Sequence, residues 1–159
     1  MLKFKPESVD LHQAVARMNF LHSPYIKSGK VTNEDLLYVL GASMREPVEF
    51  IKKYDWRALT DMEVAALATL WMYIGRLMEI DYAAELGKDS WKDGLEFMDD
   101  VTHWISEYED RHMRPSKDVL RLGSVLMELI MSTYPAFSRP AVYQGFSVLL
   151  GDRLRHVLG

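Results

Sequence analysis

Apolar residues recur along this chain at three- and four-residue intervals, and no stretch alternates them with polar ones in the manner of a strand. That period marks one face of a helix. Leu11, Val15, Met18 and His22 fall at i, i+4, i+7 and i+11, which predicts a first helix from about Ser8 to His22. Ser23-Pro24 is expected to stop it, because a residue before proline avoids the α region. A short loop over Tyr25 to Lys30 follows. Thr32-Asn33-Glu34-Asp35 then approximates a capping box, with Asp in place of Glu. The second helix carries Leu36, Leu37, Val39 and Leu40 and is expected to loosen near Gly41. Pro47 suits the first position of a short third helix through Phe50 and Ile51.

Thr60-Asp61-Met62-Glu63 is a full capping box, and behind it Val64, Leu67, Trp71, Ile74 and Met78 form one stripe. Ser90 is expected to cap the next helix, where Trp91, Leu95, Met98, Val101, Ile105 and Tyr108 line up. Ser116 opens another, whose apolar residues from Leu120 to Met131 cover most of its circumference and predict a central helix. Pro135 ends that run, and a last helix from about Ala141 carries Val142, Phe146, Leu150, Leu154 and Val157. About six helices with short connections make a single all-α bundle over residues 1–159.

Composition narrows the function classes. Hydrophobic residues at 48% and charged residues at 26% are the balance of a folded chain. With 19 basic and 23 acidic side chains the net charge is -4, and no basic stripe points to nucleic acid. The lack of cysteine excludes disulfides, thiolate metal sites and a cysteine nucleophile. No apolar run is long enough to span a membrane, and the first residues have no secretory apolar region. The compartment stays open.

Five histidines are the candidates for chemistry: His12, His22, His103, His112 and His156. No pair has the i, i+4 spacing of a zinc helix. Glu109 and His112 make one Glu-x-x-His, whereas a di-iron bundle needs two such pairs and two further helical glutamates. The bland reading of that segment is an exposed helix end. His103 shares a face with Glu96, Asp99, Asp100 and Glu107 and reads as a surface residue. His156 sits in a last turn, where a cation suits the helix dipole. His12 lies toward the solvent edge of the first apolar stripe. His22 ends that stripe, where an imidazole projects into an apolar interior in the manner of a haem proximal ligand. By spacing alone, a histidine on an apolar face is more often a satisfied core residue than a ligand.

A series of segments resembles one family. Arg17-Met18-Asn19-Phe20-Leu21-His22-Ser23-Pro24-Tyr25 is followed by Ser28-Gly29-Lys30-Val31-Thr32-Asn33-Glu34-Asp35, then Glu46-Pro47 and Tyr54-Asp55-Trp56-Arg57. Trp71, Ile74-Gly75, Trp91-Lys92-Asp93-Gly94, Tyr108-Glu109 and Asp152-Arg153-Leu154-Arg155 continue it in order. Together they resemble the fungal mpaB-type oxygenases, which group with the bacterial latex-clearing rubber oxygenases. The resemblance implies an all-α haem b protein that uses dioxygen to cleave carbon–carbon double bonds in an apolar, isoprenoid-type chain. It implies that His22 is the iron ligand, closing a helix after the turn that holds Arg17. Tyr25 and Lys27 are then in reach of a haem propionate. It further implies that the chain matches the C-terminal portion of a longer catalytic domain, and that longer fungal relatives are anchored to the ER membrane. The sequence departs from the family at Arg76-Leu77, where Asp and a small residue are usual. It departs again at Ile26, where bacterial members carry arginine. The rival reading is a non-catalytic helical binding module without haem. Its uncovered apolar surface would recruit partners, a second copy of the chain among them.

Overall fold

In the computed structural model residues 8–149 are described, and they contain helices and no strand. Seven helices run in order: α1 (Val9–Lys27), α2 (Asn33–Tyr54), α3 (Asp61–Leu77), α4 (Tyr82–Leu86), α5 (Gly94–His112), α6 (Lys117–Ser132) and α7 (Arg139–Leu149). The all-α expectation holds. Between Tyr108 and Glu109 the chain divides into two compact units. None of the helices described is long and apolar enough to cross a membrane.

Both prolines expected to break helices lie inside them. α1 continues past Ser23-Pro24 to Lys27. Pro24 withdraws the N–H that would pair with the Phe20 carbonyl, but Phe20 is exposed and water can serve that carbonyl. The true stop is Gly29 at φ 69°. There Gly29 N–H donates to the Ile26 carbonyl at 3.0 Å and Lys30 N–H to the Tyr25 carbonyl at 2.9 Å, which is a Schellman closure. His22 therefore stands inside α1 and does not close it. Likewise α2 is one continuous helix through Gly41 and Pro47. Ser43, whose carbonyl loses its helical donor to Pro47, is exposed. Gly41 is buried for a packing reason: a Cβ there would stand 2.5 Å from Val101 Cγ1 and 2.6 Å from Ile105 Cδ1. The missing side chain lets α5 lie close on α2.

The helix starts follow the caps more closely. Thr32 with Asp35, and Thr60 with Glu63, form reciprocal capping boxes. Ser90 does not cap α5. Asp93 takes that place, its Oδ1 accepting from Glu96 N–H at 3.0 Å, and Trp91 stays outside the helix with its indole donating to Asp100 Oδ2 at 2.7 Å. The five-residue α4 is too short to show a period; Asp81 caps it and Gly87 at φ 71° ends it.

The first unit is built around α2, α4 and α5. Leu37, Met44, Phe97, Val101 and Ile105 are fully buried, and Leu40, Tyr82, Trp104 and Tyr108 join the same cluster. Each such side chain contributes about 1.5–3 kcal/mol by leaving water. Tyr82 packs edge-on against Trp91 and Phe97, with ring centres 5.5 and 5.4 Å apart. Gly75 makes room for it, since a Cβ at that position would overlap the Tyr82 hydroxyl.

In the second unit α6 begins at the Ser116 cap as expected. It is not a central helix. None of its residues is buried, and Leu122 and Leu129 are 72% and 65% exposed. Within its unit the described helix that packs on it is α7. Glu109 also departs from expectation. It shares the face of Ile105 one turn earlier and is buried, where an exposed acidic helix end was foreseen. His103 is a surface residue as expected, 3.3 Å from Glu107. His156, with Leu150, Leu154 and Val157 expected on the last helix, lies outside the described residues.

Two outcomes follow from these contacts. Gly41→Ala overpacks the α2–α5 contact and should destabilise by about 1–3 kcal/mol. The urea midpoint falls while the slope of the transition stays the same. Glu63 is the second case. Its hydrogen bonds with Arg57, then with Thr60, hold its carboxyl at about 2 against an ordinary 4.5. The stabilisation is complete above pH 4.5 and is lost as pH falls toward 2. Glu63→Gln should therefore flatten acid unfolding in that window.

Candidate functional site

α1 lays Met18, Asn19, His22, Ser23 and Ile26 along one side, three and four residues apart. Between this side, the start of α2 and the end of α3 lie two pockets, and His22 lines both. The larger has a volume of about 360 Å³ and is walled by Met18, Leu36, Val39, Leu40, Trp71, Ile74 and Met78 with Val31. This volume falls within the usual range for ligand sites. The smaller, about 230 Å³, is lined by Asn19, His22, Ser23, Ile26, Lys27 and Glu79. Leu36 and Met78 line both as well, so His22, Leu36 and Met78 form the partition between an apolar chamber and a polar one.

The polar side chains of the larger chamber differ in what they have left to give. Asp35 is fully engaged: Oδ2 accepts from the Thr32 N–H and hydroxyl at 2.8 Å each, and Oδ1 accepts from the Tyr108 hydroxyl at 2.8 Å. Burial, and then the bond to Asp35, push the Tyr108 phenol up to about 12, so it stays protonated and a donor. The Ser43 hydroxyl donates to the Val39 carbonyl at 2.8 Å. The half-buried His22 imidazole, in contrast, has no hydrogen-bond partner among the described residues. A base or ligand role is therefore open to His22.

The residues singled out from the sequence separate here. Met18, Leu36, Trp71 and Met78, expected to wall a haem, do meet around His22. Lys27 reaches the polar pocket. Arg17 and Tyr25 are exposed and line neither pocket; the Tyr25 carbonyl serves the Schellman closure of α1. Glu79 and Asn19 were not anticipated. A capping asparagine, or a glutamate just past a helix end, carries no periodic signal. His12 is also engaged, 2.9 Å from the Ser8 carbonyl and 2.8 Å from the Tyr73 hydroxyl.

An imidazole facing an apolar chamber is a donor set suited to an axial haem ligand, which needs one protein nitrogen and a dry surround. No three His, Asp or Glu side chains gather into a metal-holding group among the described residues. The di-iron arrangement thus finds no second half around Glu109 and His112.

Comparison with known proteins agrees with the resemblance. The family described as "ER-bound oxygenase mpaB/B'/Rubber oxygenase, catalytic domain" matches residues 8–159. The chain is 33% identical over 161 residues to the ER-bound oxygenase mpaB' of Penicillium brevicompactum, covering 99% of this chain and 38% of that protein. It is 33% identical over 159 residues to the ER-bound oxygenase mpaB of Penicillium roqueforti (strain FM164), covering 99% of this chain and 53% of the relative. The mpaB of Penicillium brevicompactum is 33% identical over 156 residues, 39% of its length. The chain thus spans between about two fifths and half of these relatives. No solved structure matches it. With the match running from Ser8 through the last residue, this chain belongs to the mpaB/B' and rubber oxygenase catalytic-domain family.

Proposed function

We propose that this chain supplies the proximal half of a haem b oxygenase site that acts on an apolar, isoprenoid-type chain by oxidative cleavage of a carbon–carbon double bond. The observation that carries the reading is His22: an imidazole without a hydrogen-bond partner among the described residues, set in the wall of a 360 Å³ apolar chamber. The relatives named as oxygenases support the reaction class.

Within this reading His22 would hold the iron through one ring nitrogen, and Trp71, Leu36 and Met78 would exclude water from the bound group. Lys27, on the polar side of the partition, offers its ammonium to a propionate. When bound, haem supplies the iron that activates dioxygen. Asp35, through its three hydrogen bonds, fixes the start of α2 and with it Leu36 and Val39.

The test is titration of the purified chain with hemin. Stoichiometric binding with a Soret band is expected, lost on His22→Ala and kept on His103→Ala. Leu36→Trp, which fills the chamber without touching the imidazole, should weaken hemin binding while the helical circular dichroism stays the same. Absence of any band, or a band indifferent to His22, would instead favour an apolar binding module without haem.

A further inference from the structure

Glu79 occupies a backbone geometry that its residue type resists. It follows the end of α3 at φ 62°, and among the described residues no other non-glycine has positive φ. The equivalent place after α1 is Gly29 at φ 69°, and after α4 it is Gly87 at φ 71°. A Cβ there crowds the following carbonyl oxygen, and glutamate lacks the short polar side chain that eases the fit in asparagine.

The surroundings over-determine this geometry. The Glu79 N–H donates to the Arg76 carbonyl at 3.1 Å and Ile80 N–H to the Gly75 carbonyl at 3.0 Å. On one flank Asn19 Nδ2 donates to the Leu77 carbonyl at 2.8 Å. On the other, Asn33 engages both the Asp81 carbonyl and the Asp81 N–H at 2.9 Å. The backbone is thus pinned two residues to either side of Glu79. Local stability gives no reason for a glutamate in such a place. The polar pocket does, because Glu79 and His22 line it together. Asn19 gives one amide N–H to the Leu77 carbonyl, and neither the His22 ring nor the Glu79 carboxylate has a hydrogen-bond partner among the described residues. Glu79 is exposed, so its side chain turns without repacking a core.

We propose that Glu79 is a positioning residue for His22. Its carboxylate accepts the ring N–H on the polar side of the partition, which fixes one tautomer and turns the other nitrogen's lone pair toward the apolar chamber. A ligating histidine ordinarily gives its second N–H to such a partner. The use of this bond rests on the haem reading above, while the bond itself is measurable without haem.

The experiment compares wild type with Glu79→Gly, Glu79→Gln and Glu79→Asp. In hemin-free protein, nitrogen-15 shifts of the His22 ring report its tautomer. One tautomer should predominate in wild type, give way to a mixture in Glu79→Gly and Glu79→Gln, and return in part with Glu79→Asp. Glu79→Gly should at the same time raise the thermal midpoint by about 2–4 °C, since glycine adopts this φ without crowding. That gain separates loss of the bond from loss of the fold. In hemin-loaded protein, Glu79→Gln should bind hemin about 10–100-fold more weakly and shift the iron potential upward. A His22 tautomer population that is the same in all four proteins overturns the proposal. A tautomer that follows Glu79 while no variant binds hemin sustains it and sinks the haem reading alone.

Discussion

Two glycines set the distances on which the first unit depends. At Gly41 the α5 side chains Val101 and Ile105 come down onto the α2 backbone. At Gly75 the ring of Tyr82 and the tip of Leu40 come down onto α3. Both are steric permissions and not flexible joints, for each glycine lies buried inside a regular helix. The second permission reaches the site. Tyr82 slides under α3 and donates to the Met72 carbonyl at 3.1 Å, which draws the segment after α3 inward with Ile80 buried behind it. Met78 is thereby carried into the partition beside His22, and Glu79 into the smaller pocket. Overpacking at Gly75 would thus be felt in the chamber wall that Ile74 and Met78 form opposite the imidazole.

The same economy governs the polar groups. Asp35 closes a capping box, accepts the Tyr108 phenol and lines the apolar chamber with three of its lone pairs engaged. Tyr108 in turn stacks between Tyr38 and Trp104, with ring centres 4.7 and 5.2 Å away. A carboxylate at a chamber wall is ordinarily a candidate base. Here it is a strut. The distinction comes from counting donors against lone pairs, and it leaves His22 as the polar group with capacity to spare.

The helical class and most of the helix starts were legible in the sequence, because caps and periods are local. Thr32, Thr60 and Ser116 act where their spacing places them. The walls of the chamber were legible too, since Met18, Leu36, Trp71 and Met78 lie on stripes that must face inward. What failed was punctuation. Pro24, Gly41 and Pro47 look like stops, yet the prolines sit where exposed carbonyls tolerate a lost donor, and the glycine answers a neighbour sixty residues away. The apolar girth of α6 likewise looked central, but how much of a helix is covered depends on what packs on it, which no local pattern states. Glu79 was invisible for a related reason: nothing in a glutamate announces that its backbone is left-handed.

The closing turn of α1 has one further consequence. Pro24 removes the rung of the α1 ladder that would reach back to the Phe20 carbonyl, across the turn that holds His22. The last turn is then fastened chiefly from outside, by the two Schellman bonds at Gly29, with open space where a Cβ would stand. A ladder with a missing rung fails in segments, not link by link. Residues from Tyr25 to Lys27 are therefore poised to exchange their amide hydrogens as one small cooperative unit. His22 stands within the turn that this rung would have closed, while Lys27, across the same pocket, rides on the turn beyond it.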